Sequence, residues 1–251
     1  MSSQPATVLI AGSSSEIAKA IVKRVCQTQQ AVKLITLSRQ CDQNHEVFEN
    51  SRNTLVDHQH IQADLRNPAC VGELTKVWQQ LGRPDQVYHC SGILHDADHR
   101  PEKSIRDFDA NWLQQSLQAN VITHAHLAQS LHPLLTRKQP IRWLSLSAKV
   151  GSIEDNGMGG WHSYRMSKAA LNMLVKNLDI EWRRKSPDSR IVAVHPGTTD
   201  TPLSEPFQAG IAAGKLYSAD TTAERMIEIM NSLTEQQSGK LLFWDGEVLP
   251  F

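Results

Sequence analysis

Apolar and polar positions follow two rhythms along this chain. Short apolar runs closed by glycine or a polar cluster take turns with longer stretches that repeat every three to four residues. "TVLIAG" (Thr7 to Gly12) is of the first kind, and an unbroken apolar run of that length reads as a strand buried on both faces. "SSEIAKAIVKRVCQ" is of the second kind. It sets Ile17, Ala20, Ile21 and Val25 at helical spacing, with Ser13 to Ser15 available as caps. Further strands are predicted at "AVKLITLSR" (Ala31 to Arg39), "HQHIQADL", "DQVYHCSG" ending at Gly92, "IRWLSLSA" (Ile141 to Ala148), "RIVAVHPG" (Arg190 to Gly197) and "GKLLFWDG". Helices are predicted over Pro68 to Leu81, opening on a proline suited to a first helical position, and over a long region at 104–135. Two more are expected: one holds Tyr164 and Lys168 and ends near Arg184, and the other is "TTAERMIEIMNSL". Residues 40–56, 93–103 and 198–219 read as irregular.

Strand and helix alternate throughout. That order predicts an α/β protein, a doubly wound Rossmann-type domain whose parallel sheet of about seven strands is covered on both faces. There is no stretch long enough to be a linker and no internal repeat, so residues 1–251 are expected to form one domain. A chain of 251 residues is near the upper edge of what a single core organises.

Composition narrows the function. Lys plus Arg is 26 and Asp plus Glu is 26, so the formal net charge is zero. This is not the basic footprint of a nucleic-acid binder or of a polybasic membrane anchor, and neither partner is expected. No segment approaches the run of about twenty apolar residues needed to span a bilayer. The opening "MSSQPATVLIAGSSS" lacks a positive n-region and reads as mature protein. Cys26, Cys41, Cys70 and Cys90 are scattered without close pairing, which fits a reducing compartment and a cytoplasmic location.

Three places carry candidate chemistry. "AGSSSEIA" joins the first strand to the first helix. There Gly12 permits a tight turn, and Ser14, Ser15 and the amides up to Ile17 are placed to hold a pyrophosphate. A Ser-rich helix cap is the plain alternative. At the end of the second strand stands Arg39, whose planar fork suits a 2′-phosphate, so NADP(H) is favoured and NAD(H) stays open. Asp42 is close enough in sequence to reach a ribose instead. The third place is Ser147 at the end of the fifth strand, followed by Tyr164 and Lys168 one helical turn apart. A free phenol, with a pKa of about 10, is a poor acid near neutrality; a fixed ammonium pulls that value down. A phenol so tuned gives its proton to a developing alkoxide, and a nearby serine hydroxyl orients the carbonyl. Alone, Y-x-x-x-K is common by chance. Its weight here comes from the strand-end serine and the Gly-rich loop ahead of it.

In this order of motifs the chain resembles the short-chain dehydrogenase/reductase family over essentially its whole length. The stretch "GSIEDNGMGGWHSYRMSKAALNML" is similar to the C-factor and sniffer-type carbonyl reductase branch. The resemblance implies a nicotinamide-dependent oxidoreductase acting on a small-molecule carbonyl or alcohol. It implies Tyr164 as acid/base, Lys168 on the nicotinamide ribose, Ser147 on the substrate carbonyl and Asn120 in a proton relay. It places Asp64 and Leu65 at the adenine, Ser91 and Gly92 beside the cofactor, Pro196 and Gly197 after the sixth strand, and Thr199 or Thr201 at the nicotinamide amide or the phosphates. The chain departs from the family in two elements. The first turn has Glu16 and Ala18 where glycines are usual, and "HCSG" (His89 to Gly92) replaces N-N-A-G.

Residues 198–219 are expected to form a substrate lid, and by resemblance the chain is expected to be a homodimer or homotetramer. The His58/His60, His95/His99 and His124/His126 pairs read as ordinary polar contacts, with no metal expected. Glu16 and the altered "HCSG" leave a rival function open: a cofactor-binding signalling or regulatory protein, C-factor-like, with little turnover.

Overall fold

The computed structural model describes residues 5–27, 30–41 and 55–251. Asp42 falls outside them. Ten strands and six helices are named here in chain order. The main sheet has eight strands in the order β10-β9-β6-β5-β4-β1-β2-β3. They are β1 (Ala6–Ala11), β2 (Val32–Ser38), β3 (Val56–Gln62), β4 (Gln86–His89), β5 (Arg142–Leu146), β6 (Arg190–Val194), β9 (Leu241–Leu242) and β10 (Val248–Leu249). Every pairing is parallel except β9 with β10; β9 lies within the predicted "GKLLFWDG" strand, while β10 is a two-residue edge that the apolar pattern does not announce. β7 (Thr198–Thr199) and β8 (Leu216–Tyr217) form a separate two-stranded parallel ladder, so the region read as irregular is tied at both ends.

The helices are α1 (Glu16–Cys26), α2 (Cys70–Leu81), α3 (Ala110–Leu117), α4 (Thr123–Leu131), α5 (His162–Lys185) and α6 (Ala219–Ser232). α3 and α4 make up most of the long predicted helix, joined by a π turn at Gln118–Ile122. Strand alternation sorts the core into two layers. Leu9, Ile35, Leu37, Val87 and Trp143 face α2, α4 and α5, meeting Trp78, Leu127, Leu171 and Trp182. Val8, Ile10, Leu34, Tyr88, Leu144 and Val192 face α1 and α6, meeting Ile21, Val22, Met226 and Met230. From β1 the chain steps one way to β2 and β3, and the other way to β4, β5 and β6. The gap beyond β1 and β4 is the switch point at which open α/β sheets bind ligands.

Candidate active site

A cleft of about 410 Å³ opens at that switch point. Gly12, Ser14, Ser15, Arg39, Asp64, Leu65, Ser91 and Gly92 line it, all of them predicted site residues. Gly12 has φ +73°, and a Cβ there would lie 2.6 Å from Ser91 Oγ, so the first turn and the end of β4 touch only because this residue has no side chain. The Gly12 and Ser13 amides donate to Leu37 O. Ser15 caps α1, its Oγ accepting from Ala18 N at 3.3 Å. The amides of Ser14, Glu16 and Ile17 have no partner among the described residues and lie at the positive end of α1. The Ile17 side chain is outside the cleft, against the α1 and α6 core layer. Glu16 is turned away as well: its carboxylate is exposed and pairs with Lys19 at 2.9 Å.

At the far wall of the cleft Asp64 takes a forked ion pair from Arg66, 2.7 Å at the shortest. Hydrogen bonds from Arg66 hold the Asp64 carboxyl below its ordinary value, against the opposing effect of burial, and the Arg66 and Arg39 charges add to the lowering. Arg66, Cys90, Ile93, Asp96, Gln115 and Gln118 also line the cleft and were not predicted. Arg66 was legible as a cation two residues past the predicted Asp64; Gln115 and Gln118 come from the π-turn region and had no local signal.

The reacting end is buried. Asn120 sits in the π turn with no exposure. Its Oδ1 accepts from Ile93 N at 2.7 Å, and its amide donates to Ile93 O and to Ser167 Oγ. Ser167 Oγ donates to Tyr164 O, so Asn120 and α5 share one hydrogen-bonded chain. Lys168 Nζ donates to Leu146 O at 2.9 Å and lies 5.7 Å from the Tyr164 ring centre. A Cβ on Gly92 would meet both Asn120 Oδ1 and Lys168 Nζ, at 3.2 and 3.3 Å. Asn120, Tyr164 and Lys168 are thus brought together, facing the carboxyl edge.

The electrostatics differ from the expectation of a lowered phenol pKa. Burial pushes the Tyr164 phenol up and the Lys168 amine down to about 8. Desolvation outweighs attraction because both groups lose water and neither has a charged partner. Ser147 has another partner, and it is the next residue, Ala148, that packs with Tyr164. The Ser147 hydroxyl donates to Asn172 Oδ1 at 2.7 Å, on the opposite parity of β5 from Ala148. Thr199 is also turned inward, its Oγ1 bonded to Thr222 Oγ1 at 2.8 Å, while Thr201 Oγ1 donates to Thr199 O. Pro196 and Gly197 follow β6 at the same sheet edge. Gly197 (φ +81°) lies where a Cβ would strike the Tyr217 ring at 2.8 Å.

α5 lacks a local cap, because Trp161 at its head is left-handed (φ 51°) and makes no side-chain bond. Glu102, 4% exposed, replaces it from the 93–103 loop: its carboxylate accepts from Ser163 N and from Ser163 Oγ. The histidine pairs make polar contacts. Thr36 Oγ1 lies 2.9 Å from both His58 and His60, and His126 meets Leu65 O. His89 stacks on His124 with ring centres 3.5 Å apart. Burial pushes His89 down to about 3 and His124 well below the usual imidazole value.

The short-chain dehydrogenase family profile matches residues 6–212, and the chain belongs to that family. Among its relatives, a 1-hydroxy-2-glutathionyl-2-methyl-3-butene dehydrogenase of Rhodococcus sp. (strain AD45) is 25% identical over 165 residues, 66% of this chain and 67% of that protein. The C-signal protein of Myxococcus xanthus is 25% identical over 149 residues, 59% of this chain and 84% of that one. Among solved structures, the carbonyl reductase Sniffer of D. melanogaster superposes with TM-score 0.80 at 23% identity, covering 99% of this chain and all of that one. An NADPH-bound carbonyl reductase from chicken fatty liver superposes with TM-score 0.79 at 21% identity and the same coverage. These last two likenesses are of fold.

Proposed function

We propose that this chain is an NADP(H)-preferring oxidoreductase that interconverts a small carbonyl compound and its alcohol, with Tyr164 as acid/base. The observation that carries this reading is the Tyr164–Lys168 pair, held on one face of α5 and 5.7 Å apart beside Gly92 at the sheet's carboxyl edge. The cleft residues fit the cofactor that the family implies. The free amides of Ser14, Glu16 and Ile17 and the Ser14 hydroxyl would hold its phosphates. Arg39 would take a 2′-phosphate, and Asp64 and Leu65 the adenine. When bound, the nicotinamide supplies or accepts the hydride.

The protein's own part is proton handling. Burial keeps the Tyr164 phenol protonated at neutral pH, ready to donate to a carbonyl oxygen as the carbon is reduced. The C=O π pair becomes the new O–H bond, and the phenolate left behind is stabilised by the Lys168 ammonium, which is charged below about pH 8. Asn120, through Ile93 and Ser167, fixes the backbone around this exchange. Residues 198–219, tied by β7 and β8, would serve as the lid. Met166, Met173 and Ile180 are exposed at seven-residue spacing along α5, which supports a homodimer or homotetramer built on that face. No helix among the described residues is long and apolar enough to cross a membrane. Cys26, Cys41, Cys70 and Cys90 are thiols and not disulfides, which fits a cytoplasmic location.

One observation favours a second reading, a C-signal-like binding protein with little turnover: the committed hydroxyl of Ser147. NADPH and NADH oxidation across a panel of aldehydes and ketones separates the two. Turnover that falls about 1,000-fold or more in Tyr164→Phe is expected. Tight NADPH binding with no turnover on any carbonyl would establish the second reading.

A further inference from the structure

β5 runs on in extended conformation through two adjacent residues, Ser147 and Ala148, and only one of them can face the reacting oxygen. Successive side chains of a strand point to opposite faces. Trp143 lies in the core layer under α4 and α5, and Ser145 Oγ accepts from Trp143 Nε1 at 2.8 Å and lies 3.0 Å from His124 Nδ1. Ser147 continues that face. It is 4% exposed, and its hydroxyl donates to Asn172 Oδ1, whose amide in turn donates to Gly151 O at 3.3 Å. These bonds staple the start of the 147–161 loop to the middle of α5. Turning Ser147 toward Tyr164 would break the staple and leave Asn172 Oδ1 buried without a donor. Ala148 has the other direction. It joins Leu94 and Tyr164 in a small buried group on which Val150, Trp161 and Phe207 pack.

Resting on the oxidoreductase reading, we infer that Ala148 occupies the place beside the reacting oxygen where a second hydrogen-bond donor would stand. Tyr164 is then the sole side-chain donor to that oxygen, and Ser147 is a structural residue. A preorganised donor aimed at developing negative charge is worth about 100- to 1,000-fold in rate, so this chain works below the rate its scaffold permits. One atom added to Ala148 would supply the missing donor, because its Cβ already projects into the apolar group around Tyr164.

The test measures NADPH oxidation with 4-nitrobenzaldehyde, NADPH affinity by fluorescence titration, and thermal denaturation. The proteins compared are wild type, Ala148→Ser, Ser147→Ala and Tyr164→Phe. Ala148→Ser is expected to raise kcat/KM about tenfold or more and to leave the NADPH Kd unchanged. Ser147→Ala is expected to lower the Tm, through the orphaned Asn172, and to hold kcat within about threefold. A roughly 100-fold loss of kcat in folded Ser147→Ala overturns the inference. So does an Ala148→Ser protein no faster than wild type, and that variant decides if Ser147→Ala does not fold. Activity that survives in Tyr164→Phe defeats the underlying reading instead, so the two failures are distinguishable.

Discussion

The two ends of the cleft hold charge in opposite ways. At the outer end Asp64, Arg66 and Arg39 face solvent, with the Asp64 and Arg66 side chains 38% and 45% exposed. There the hydrogen bond from Arg66 is the leading cause for the carboxyl and outweighs burial, which opposes it. At the inner end Lys168 is 4% exposed and His89 and Asn120 are fully buried. There burial is the leading cause for Tyr164, Lys168, His89 and His124 alike. The outer end is therefore built for recognition: its charges stay charged and read a ligand's charge. At the inner end burial holds the phenol and the imidazoles neutral, far from the point at which they change state, and only Lys168, near 8, lies close to it.

The strongest way to break this contrast is to remove the inner cation. Lys168→Met should cost turnover about 100-fold. In wild type, the activity that depends on the ammonium should fall as pH rises through about 8, and that limb should vanish in the variant; pH–rate profiles of kcat check both. A limb near pH 8 that persists without Lys168 would assign it to another group.

Acid should unfold the protein through its inner end. His89 and His195 are held near 3 and 4, below the ordinary 6.5, and His124 is lowered too. The folded state keeps these rings neutral, so below pH 6.5 the unfolded chain binds more protons than the folded one. Stability contributed by the three rings is therefore full above about 6.5 and is lost as pH falls toward 4. Urea midpoints at pH 7.5, 5.5 and 4.5 should drop in that order, and His89→Phe should flatten the trend. A trend unchanged in that variant would move the effect to other groups.

The outer end should give smaller effects. Arg39→Ala should cut the preference for NADPH over NADH about tenfold and leave kcat unchanged, as measured by Kd for each cofactor. An intact preference would mean that another cation reads the phosphate. Glu16→Gly should change cofactor affinity least, less than about twofold, because the Glu16 carboxylate already turns outward to Lys19. A larger tightening in a titration would show that the Glu16 carboxylate repels the anionic cofactor.

Much of this was legible in the chain itself, and the losses have physical causes. Buried parallel strands announce themselves as apolar runs, so β1, β2, β5 and β6 were found where they are. β10 was not, because two residues carry no period. The long predicted helix is interrupted by a π turn at Asn120, a geometry that no spacing rule marks. Tyr164 and Lys168 lie on one helix whose periodicity fixed their shared face, whereas Asn120 was named only through the family resemblance. Ser147 was named because it stands at a strand end, and "strand end" does not say which of two neighbours turns toward the cleft. The shared parity of Trp143, Ser145 and Ser147 did contain that answer. The lowered phenol pKa was expected from a neighbouring charge alone, and it was burial, a tertiary property, that reversed the sign.

Glu102 reaches the head of α5 from 61 residues upstream, to a first turn that has no local stop signal of its own. The helix that presents Tyr164 is therefore completed only when a distant loop docks. Its first turn should be among the last parts of the chain to become ordered, since closing so long a loop is entropically slow. A single peptide-bond cut anywhere in residues 93–103 would then silence the chemistry without touching one reacting group.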